Sequence, residues 1–288
     1  MIYSDLHCDT VTRCFEKKES ILTATGHINA FKSKQLSEHR QCFALFVPDG
    51  KRGSTAFSYL EKLVEFYETE REKLINTRIT PILTVENGAA LGGDADNTDY
   101  LYEKGVKMLT LTWNGENELA YGADCSEGGL KKFGRRVISK MEEKGIAVDV
   151  SHLNEESFYD VAAYVRTPLI ASHSNCYSLI PHRRNLKDEQ IRLIIESDGL
   201  IGLCFHEAFL SVGGMSSFEM LYRNIFHVLS LGGENALCFG SDFDGGKPVA
   251  ELASLPKVKN LYGYLKGRGL GEGLLEKIFC TNAGRLFA

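Results

Sequence analysis

The stretch DLHCDT places Asp5, His7 and Asp9 at alternating positions near the start of the 288-residue chain. In an extended strand alternate side chains share a face, so this spacing predicts two carboxylates and an imidazole on one side. Such a face is a poor core and a good metal binder, although a merely polar chain end would read the same way. Weight comes from the ends of other apolar runs. Glu86 ends ITPILTVE (79–86), His152 ends IAVDVSH (146–152), His173 ends PLIASH (168–173) and Asp242 ends ALCFGSD (236–242). Imidazole and carboxylate without thiolate suit zinc, or a similar divalent ion such as cobalt or manganese, in a catalytic site. A carboxylate can bridge two ions, and Glu86 is the natural candidate. Asp9 and Glu86 bring about −2 against the +4 of two ions, and a bridging hydroxide and Asp242 bring the site near neutrality. One ion would be over-ligated by His7, Asp9, Glu86, His152 and His173. Two ions are therefore expected.

Eight apolar runs must position these residues: 1–7, 42–48, 79–86, 106–113, 146–152, 168–173, 200–206 and 236–242. Between them lie amphipathic segments at helical spacing, 58–74, 129–145, 154–165, 218–233 and 271–279. Near-continuous apolar strands alternating with helices indicate parallel strands buried on both faces. Eight such units fit an α/β fold of the (β/α)8 TIM-barrel type, a single domain over 1–288, with its chemistry where strands run into loops. An open doubly wound sheet fits less well, because no glycine-rich phosphate loop follows the first strand.

Composition excludes several classes. The chain is 43% hydrophobic and 25% charged with a net charge of −5, and no block of Lys or Arg predicts a nucleic-acid or membrane-surface partner. No apolar run approaches the roughly 20 residues needed to cross a bilayer, and the first residues lack the pattern of a signal peptide. The expectation is a cytoplasmic protein whose eight cysteines are reduced thiols, none in a CxxC pair.

The ordered set of DLHCD (5–9), TVENG (84–88), LTLTWN (109–114), GIAVDVSH (145–152), PLIASHSN (168–175), PHRRNLKDEQI (181–191), FGSDFDGG (239–246) and TNAGRLF (281–287) resembles the membrane (renal) dipeptidase family of the amidohydrolase superfamily, over nearly the whole chain. The resemblance implies a metal-dependent hydrolase barrel acting on dipeptides, L,D-dipeptides among them. It implies two Zn2+ ions bridged by Glu86 and a water or hydroxide, with His7 and Asp9 on one ion and His152 and His173 on the other. Asp242 would carry the proton, and Arg184 would face the substrate carboxylate. A homodimer is suggested by the resemblance alone. Within the same architecture the bond could instead be that of an N-acyl amino acid, a lactam or a phosphoester, since fold alone supports many chemistries. A metal-binding barrel without activity is the non-enzymatic alternative.

The chain departs from the family at one place. Where the family commonly reads LTH after its fourth strand, this sequence reads LTW, with Trp113 followed by Asn114. An indole donates one N–H and transfers no proton. Trp113 replaces the lost shape and hydrogen bond, or Asn114 supplies the donor, or the substrate differs, or Trp113 simply packs on the barrel wall. Of the remaining residues, Arg183 is expected to face solvent, His182 and His206 to hold ordinary strand-end positions, and Asp244 to shape its loop. Asp5 should orient His7 or hold the strand end, and Cys8 should point away from the metal ligands.

Overall fold

In the computed structural model, which describes residues 1–210 and 217–286, eight parallel strands close into a barrel in sequence order, with β8 returning to pair with β1. The strands are β1 (Ile2–Cys8), β2 (Glu38–Phe46), β3 (Ile79–Glu86), β4 (Met108–Thr110), β5 (Ala147–Asp149), β6 (Leu169–Ala171), β7 (Leu200–Leu203) and β8 (Leu237–Phe239). The longest helix after each strand is α1 (Thr10–Lys17), α2 (Gly53–Lys73), α3 (Asn97–Glu103), α4 (Lys132–Lys144), α5 (Glu155–Tyr164), α6 (Asp188–Glu196), α7 (Ser217–Ser230) and α8 (Val258–Gly267). The (β/α)8 architecture is thus the one that the alternation of runs predicts.

Two apolar layers hold it. Inside the barrel, Leu6, Cys42, Ile82, Met108, Ala147, Ile170, Leu200 and Cys238 form one layer, one residue from each strand, and Ala283 and Leu286 close its base. Outside, the helices bury the stripes their spacing predicts: Leu60, Leu63, Val64 and Tyr67 on α2, Val137 and Met141 on α4. Local signals set the helix ends. Asn154 caps α5 by accepting the Ser157 N–H at 2.9 Å, and Gly145 ends α4 in the left-handed conformation that glycine adopts freely, at φ 69°.

Two expectations need correction. The strands from β4 onward are three or four residues long, shorter than the apolar runs that announce them. The buried tails of those runs leave the ladder to line the barrel mouth, which an apolar run cannot distinguish from continued strand. The regular alternation expected of Asp5, His7 and Asp9 is also broken. The pairing of β1 with β2 shifts register between Asp5 and Cys8, as at a bulge. Asp5 consequently stays on the side of Tyr3, whose hydroxyl donates to it at 3.2 Å, and does not join His7 and Asp9. It holds the strand end instead, accepting the backbone N–H of His7 at 3.1 Å and of Ser241 at 2.9 Å. Cys8 packs in the outer core, away from the mouth.

One histidine, His39, is buried well below the mouth. His39 on β2 lies between Ser33 and the Gln41 side-chain oxygen and stacks on Tyr3. Burial outweighs the Gln41 hydrogen bond and pulls its pKa down to about 4. The unfolded chain takes up this proton below about pH 6.5, whereas the native chain resists it until about pH 4. The unfolded state therefore binds more protons in that window, and stability falls with pH by up to about 3 kcal/mol from this residue. Urea unfolding of wild type and H39Q at pH 7 and pH 4.5 should show the wild type losing more stability on acidification. A pH-independent difference between the two would remove His39 from this role.

Candidate metal centre

Six groups that the sequence singles out converge where the strands open into loops. Glu86 ends β3, 3% exposed, and its two oxygens face different histidines. Oε1 lies 2.9 Å from His152 Nε2 and 3.9 Å from His173 Nε2, while Oε2 lies 3.6 Å from His7 Nε2. His7 Nε2 is 3.4 Å from Asp9 Oδ2. His152 and His173 face each other across 2.8 Å through their Nε2 atoms. Ligand atoms of His7, Glu86 and His173, and of His7, Asp9 and Asp242, lie close enough to share an ion.

The backbone that aims them is strained. Asn87, His152, Asp242 and Asp244 adopt positive φ of 81°, 70°, 58° and 69°. Each costs about 1–3 kcal/mol for a residue other than glycine. Gly245, by contrast, is required for space: a β-carbon there would overlap the carboxylates of both Asp9 and Asp242. Its N–H and that of Gly246 donate to the Asp242 carbonyl, closing a tight turn. Asp244 shapes this loop, as its position suggests. Its carboxylate accepts Thr10 Oγ1 at 2.6 Å and the His27 N–H at 2.7 Å.

The electrostatics mark a place that needs positive charge. Burial and the Glu86 carboxylate push the Asp9 pKa up to about 6. Burial and Asp9 hold Asp242 well above the carboxylate range. Burial opposes a charge on His7, yet Glu86 and then Asp9 more than offset this and raise it well above its ordinary value. His152 is held neutral by burial and by Arg184, and His173 by burial and by His7. Both ring nitrogens of His7 and Oδ1 of Asp9 are buried with no hydrogen-bond partner among the described residues. Unpartnered buried donor atoms are costly in a finished protein. A divalent cation would satisfy His7 Nε2, which faces Asp9 and Glu86, and the Asp9 carboxylate, so the donor set fits the expected zinc ions.

The far sides of the β5 and β6 histidines are occupied. His152 Nδ1 is 2.8 Å from Asn114 Oδ1, an acceptor, so Nδ1 carries the proton and Nε2 presents a lone pair to the centre. Trp113 is half-buried and packs edge-on against Phe46 at 5.3 Å. These two rings, with His206, Phe209 and Asp242, line a cavity of about 350 Å3 that reaches Asp9 and Glu86. Arg184 is 5% exposed, donates Nη2 to the His173 carbonyl and lies over the Phe209 ring, with no hydrogen-bond partner for its Nε among the described residues. It lines a neighbouring cavity of about 300 Å3 that also borders His152. Arg183 is exposed and paired with Asp124 at 2.8 Å. His206 accepts the Ala208 N–H and stacks on Phe209, and His182 accepts the Arg184 N–H. Asp149, Ser172 and Phe209 went unremarked in the sequence. For the first two, a polar pair inside the apolar runs that end in SH was the available signal.

A model of the membrane dipeptidase family (peptidase family M19) matches residues 1–288. An uncharacterized protein in the pqqA 5′ region of Klebsiella pneumoniae is 31% identical over 209 residues, 69% of this chain and 77% of that protein. Among solved structures, the dipeptidase AC, a metallopeptidase of family M19, superposes with a TM-score of 0.91 at 26% identity, over 99% of this chain and 98% of its own. A metallopeptidase from Rhodobacter sphaeroides, solved with a phosphinate mimic of the dipeptide L-Ala-D-Ala, shares the fold with a TM-score of 0.92 at 24% identity, over 100% of this chain and 99% of its own. No helix among the described residues is long and apolar enough to cross a membrane. With the family model matched from end to end, the chain belongs to the membrane dipeptidase family, peptidase family M19, whose members are metal-dependent dipeptidases.

Proposed function

We propose that this protein hydrolyses the peptide bond of small dipeptides, L,D-dipeptides included, at a centre of two zinc ions. The observation that carries the reading is the Glu86 carboxylate, with one oxygen toward His152 and His173 and the other toward His7. In this reading His7 and Asp9 would hold one ion, His152 and His173 the other, and Glu86 would offer an oxygen to each. When bound, the ions supply a water that ionises near neutrality and a positive charge to polarise the scissile carbonyl. The mimic of L-Ala-D-Ala bound by the Rhodobacter sphaeroides relative supports the inclusion of L,D-dipeptides.

The chain's own residues do the rest. Asp242 borders the cavity beside Asp9, where its carboxylate can take a proton from a bound water. It accepts the proton of the attacking water and returns it to the leaving amine. Arg184 has an Nε without a partner among the described residues and a guanidinium suited to a carboxylate, which selects substrates with a free C-terminus. Trp113 and Phe46 form the aromatic wall of the cavity. Asn114, with its oxygen against His152, serves that histidine more than the substrate.

Replacing Asp242 by Asn should lower kcat by about 100- to 10,000-fold while the bound metal, measured by elemental analysis, stays at the wild-type amount. Wild-type turnover in D242N would take the proton-transfer role away from Asp242. For R184M, kcat/KM on dipeptides with a free carboxylate should fall about 10- to 100-fold, the worth of charge-assisted hydrogen bonds, and that on the corresponding dipeptide amides should fall far less. Equal losses on both substrate classes would reject Arg184 as the carboxylate partner.

A further inference from the structure

We propose that Asp149 and Ser172 form a relay behind His173 that fixes its tautomer and thereby strengthens one of the two metal positions. The inference rests on the reading of His173 as a metal ligand. Asp149 ends β5 and is fully buried, yet it lines neither of the two cavities at the mouth. Its Oδ1 accepts the backbone N–H of Ser151 at 3.0 Å and of Ser172 at 2.9 Å. Its Oδ2 accepts the hydroxyls of Thr110 and Ser172, each at 2.6 Å. The Ser172 oxygen lies 2.8 Å from His173 Nδ1.

The protons in this chain have one consistent arrangement. A serine hydroxyl has one hydrogen and a carboxylate only accepts, so the Ser172 hydrogen points to Asp149. The Ser172 oxygen then accepts Nδ1–H of His173. That leaves His173 Nε2 as a lone pair facing Glu86 and His152, the form in which imidazole binds a cation. The geometry is rigid: Ser172 is fully buried, and its carbonyl is hemmed in by Gly202 and Gly240, where any side chain would overlap it. No other histidine of the centre has this support. His152 is backed by the neutral amide of Asn114, and neither nitrogen of His7 has a hydrogen-bond partner among the described residues. The relay therefore acts on one position of the pair.

Two variants separate this role from simple strand clamping. S172A removes the link to His173 and leaves Asp149 its bonds to Thr110, Ser151 and the backbone of residue 172. D149N does more. Its amide keeps the oxygen on the two backbone N–H groups and turns the NH2 to the hydroxyls, so Ser172 must now accept from it. The Ser172 hydrogen, released from residue 149, can then turn to His173 Nδ1 or to Ser151 Oγ, 3.4 Å away; the first choice puts the imidazole proton on Nε2, the wrong tautomer for a ligand.

The test titrates metal-free protein with Zn2+ against a chromophoric chelator and compares the unfolding temperatures of the metal-free proteins. Wild type should bind two ions. S172A should keep one at wild-type affinity and bind the other about 10- to 100-fold more weakly, the usual effect of losing such a partner, with the metal-free unfolding temperature lowered only by the loss of one buried hydroxyl. D149N should weaken the same position further than S172A. Two wild-type affinities in S172A overturn the relay, as does a weakening of both positions together. If wild type takes up no Zn2+, the metal reading itself fails and the relay falls with it.

Discussion

The carboxylate of Glu86 lies at the centre of the structure, buried, with an imidazole group on either side and two further carboxylates within the same mouth. That much negative charge in a low-dielectric place cannot stand uncompensated. Without cations the protein resolves it with protons: Asp9 and Asp242 are pushed up, and His7 is held protonated against burial. Two divalent ions would replace those protons and restore neutrality. The barrel supplies what such a cluster needs, since ligands from β1, β3, β5 and β6 can meet at one mouth only if the sheet closes on itself.

Holding the cluster is the work of a second set of acids placed behind it. Asp5 anchors the backbone of His7 and Ser241. Asp49 takes the Gly115 N–H and the Asn87 amide, which steadies the loops after β3 and β4. Asp149 ties β4, β5 and β6 together, and Asp244 joins the β8 loop to the start of α1. These contacts offset the left-handed backbone at Asn87, His152, Asp242 and Asp244. Strain of this kind survives only where the surroundings over-determine it, and here it aims side chains into the mouth.

Much of this was legible in the sequence. The positions of His7, Asp9, Glu86, His152, His173 and Asp242 at the ends of apolar runs pointed to one mouth, because a parallel barrel brings its strand ends together. The eight-fold alternation gave the architecture for the same reason. Local rules failed where the structure is irregular or long-range. The bulge in β1 that separates Asp5 from His7 has no marker such as glycine. The shortening of β4 to β8 is invisible because residues lining a mouth are as buried as residues in a ladder. Asp149 and Ser172 were hidden because their partners are 39 and 23 residues apart in sequence and adjacent only across neighbouring strands. The Trp113 substitution was seen from sequence, but its pairing with Phe46, and the hold of Asn114 on His152, needed the three-dimensional arrangement.

The central claim is that Glu86 stands between two metal ions. Anomalous diffraction at the zinc edge, from crystals of the purified protein equilibrated with Zn2+, tests it directly. The account predicts two peaks flanking the Glu86 carboxylate, one against His7 and Asp9 and the other against His152 and His173. A single peak, or peaks that leave Glu86 outside the coordination of both, would contradict it.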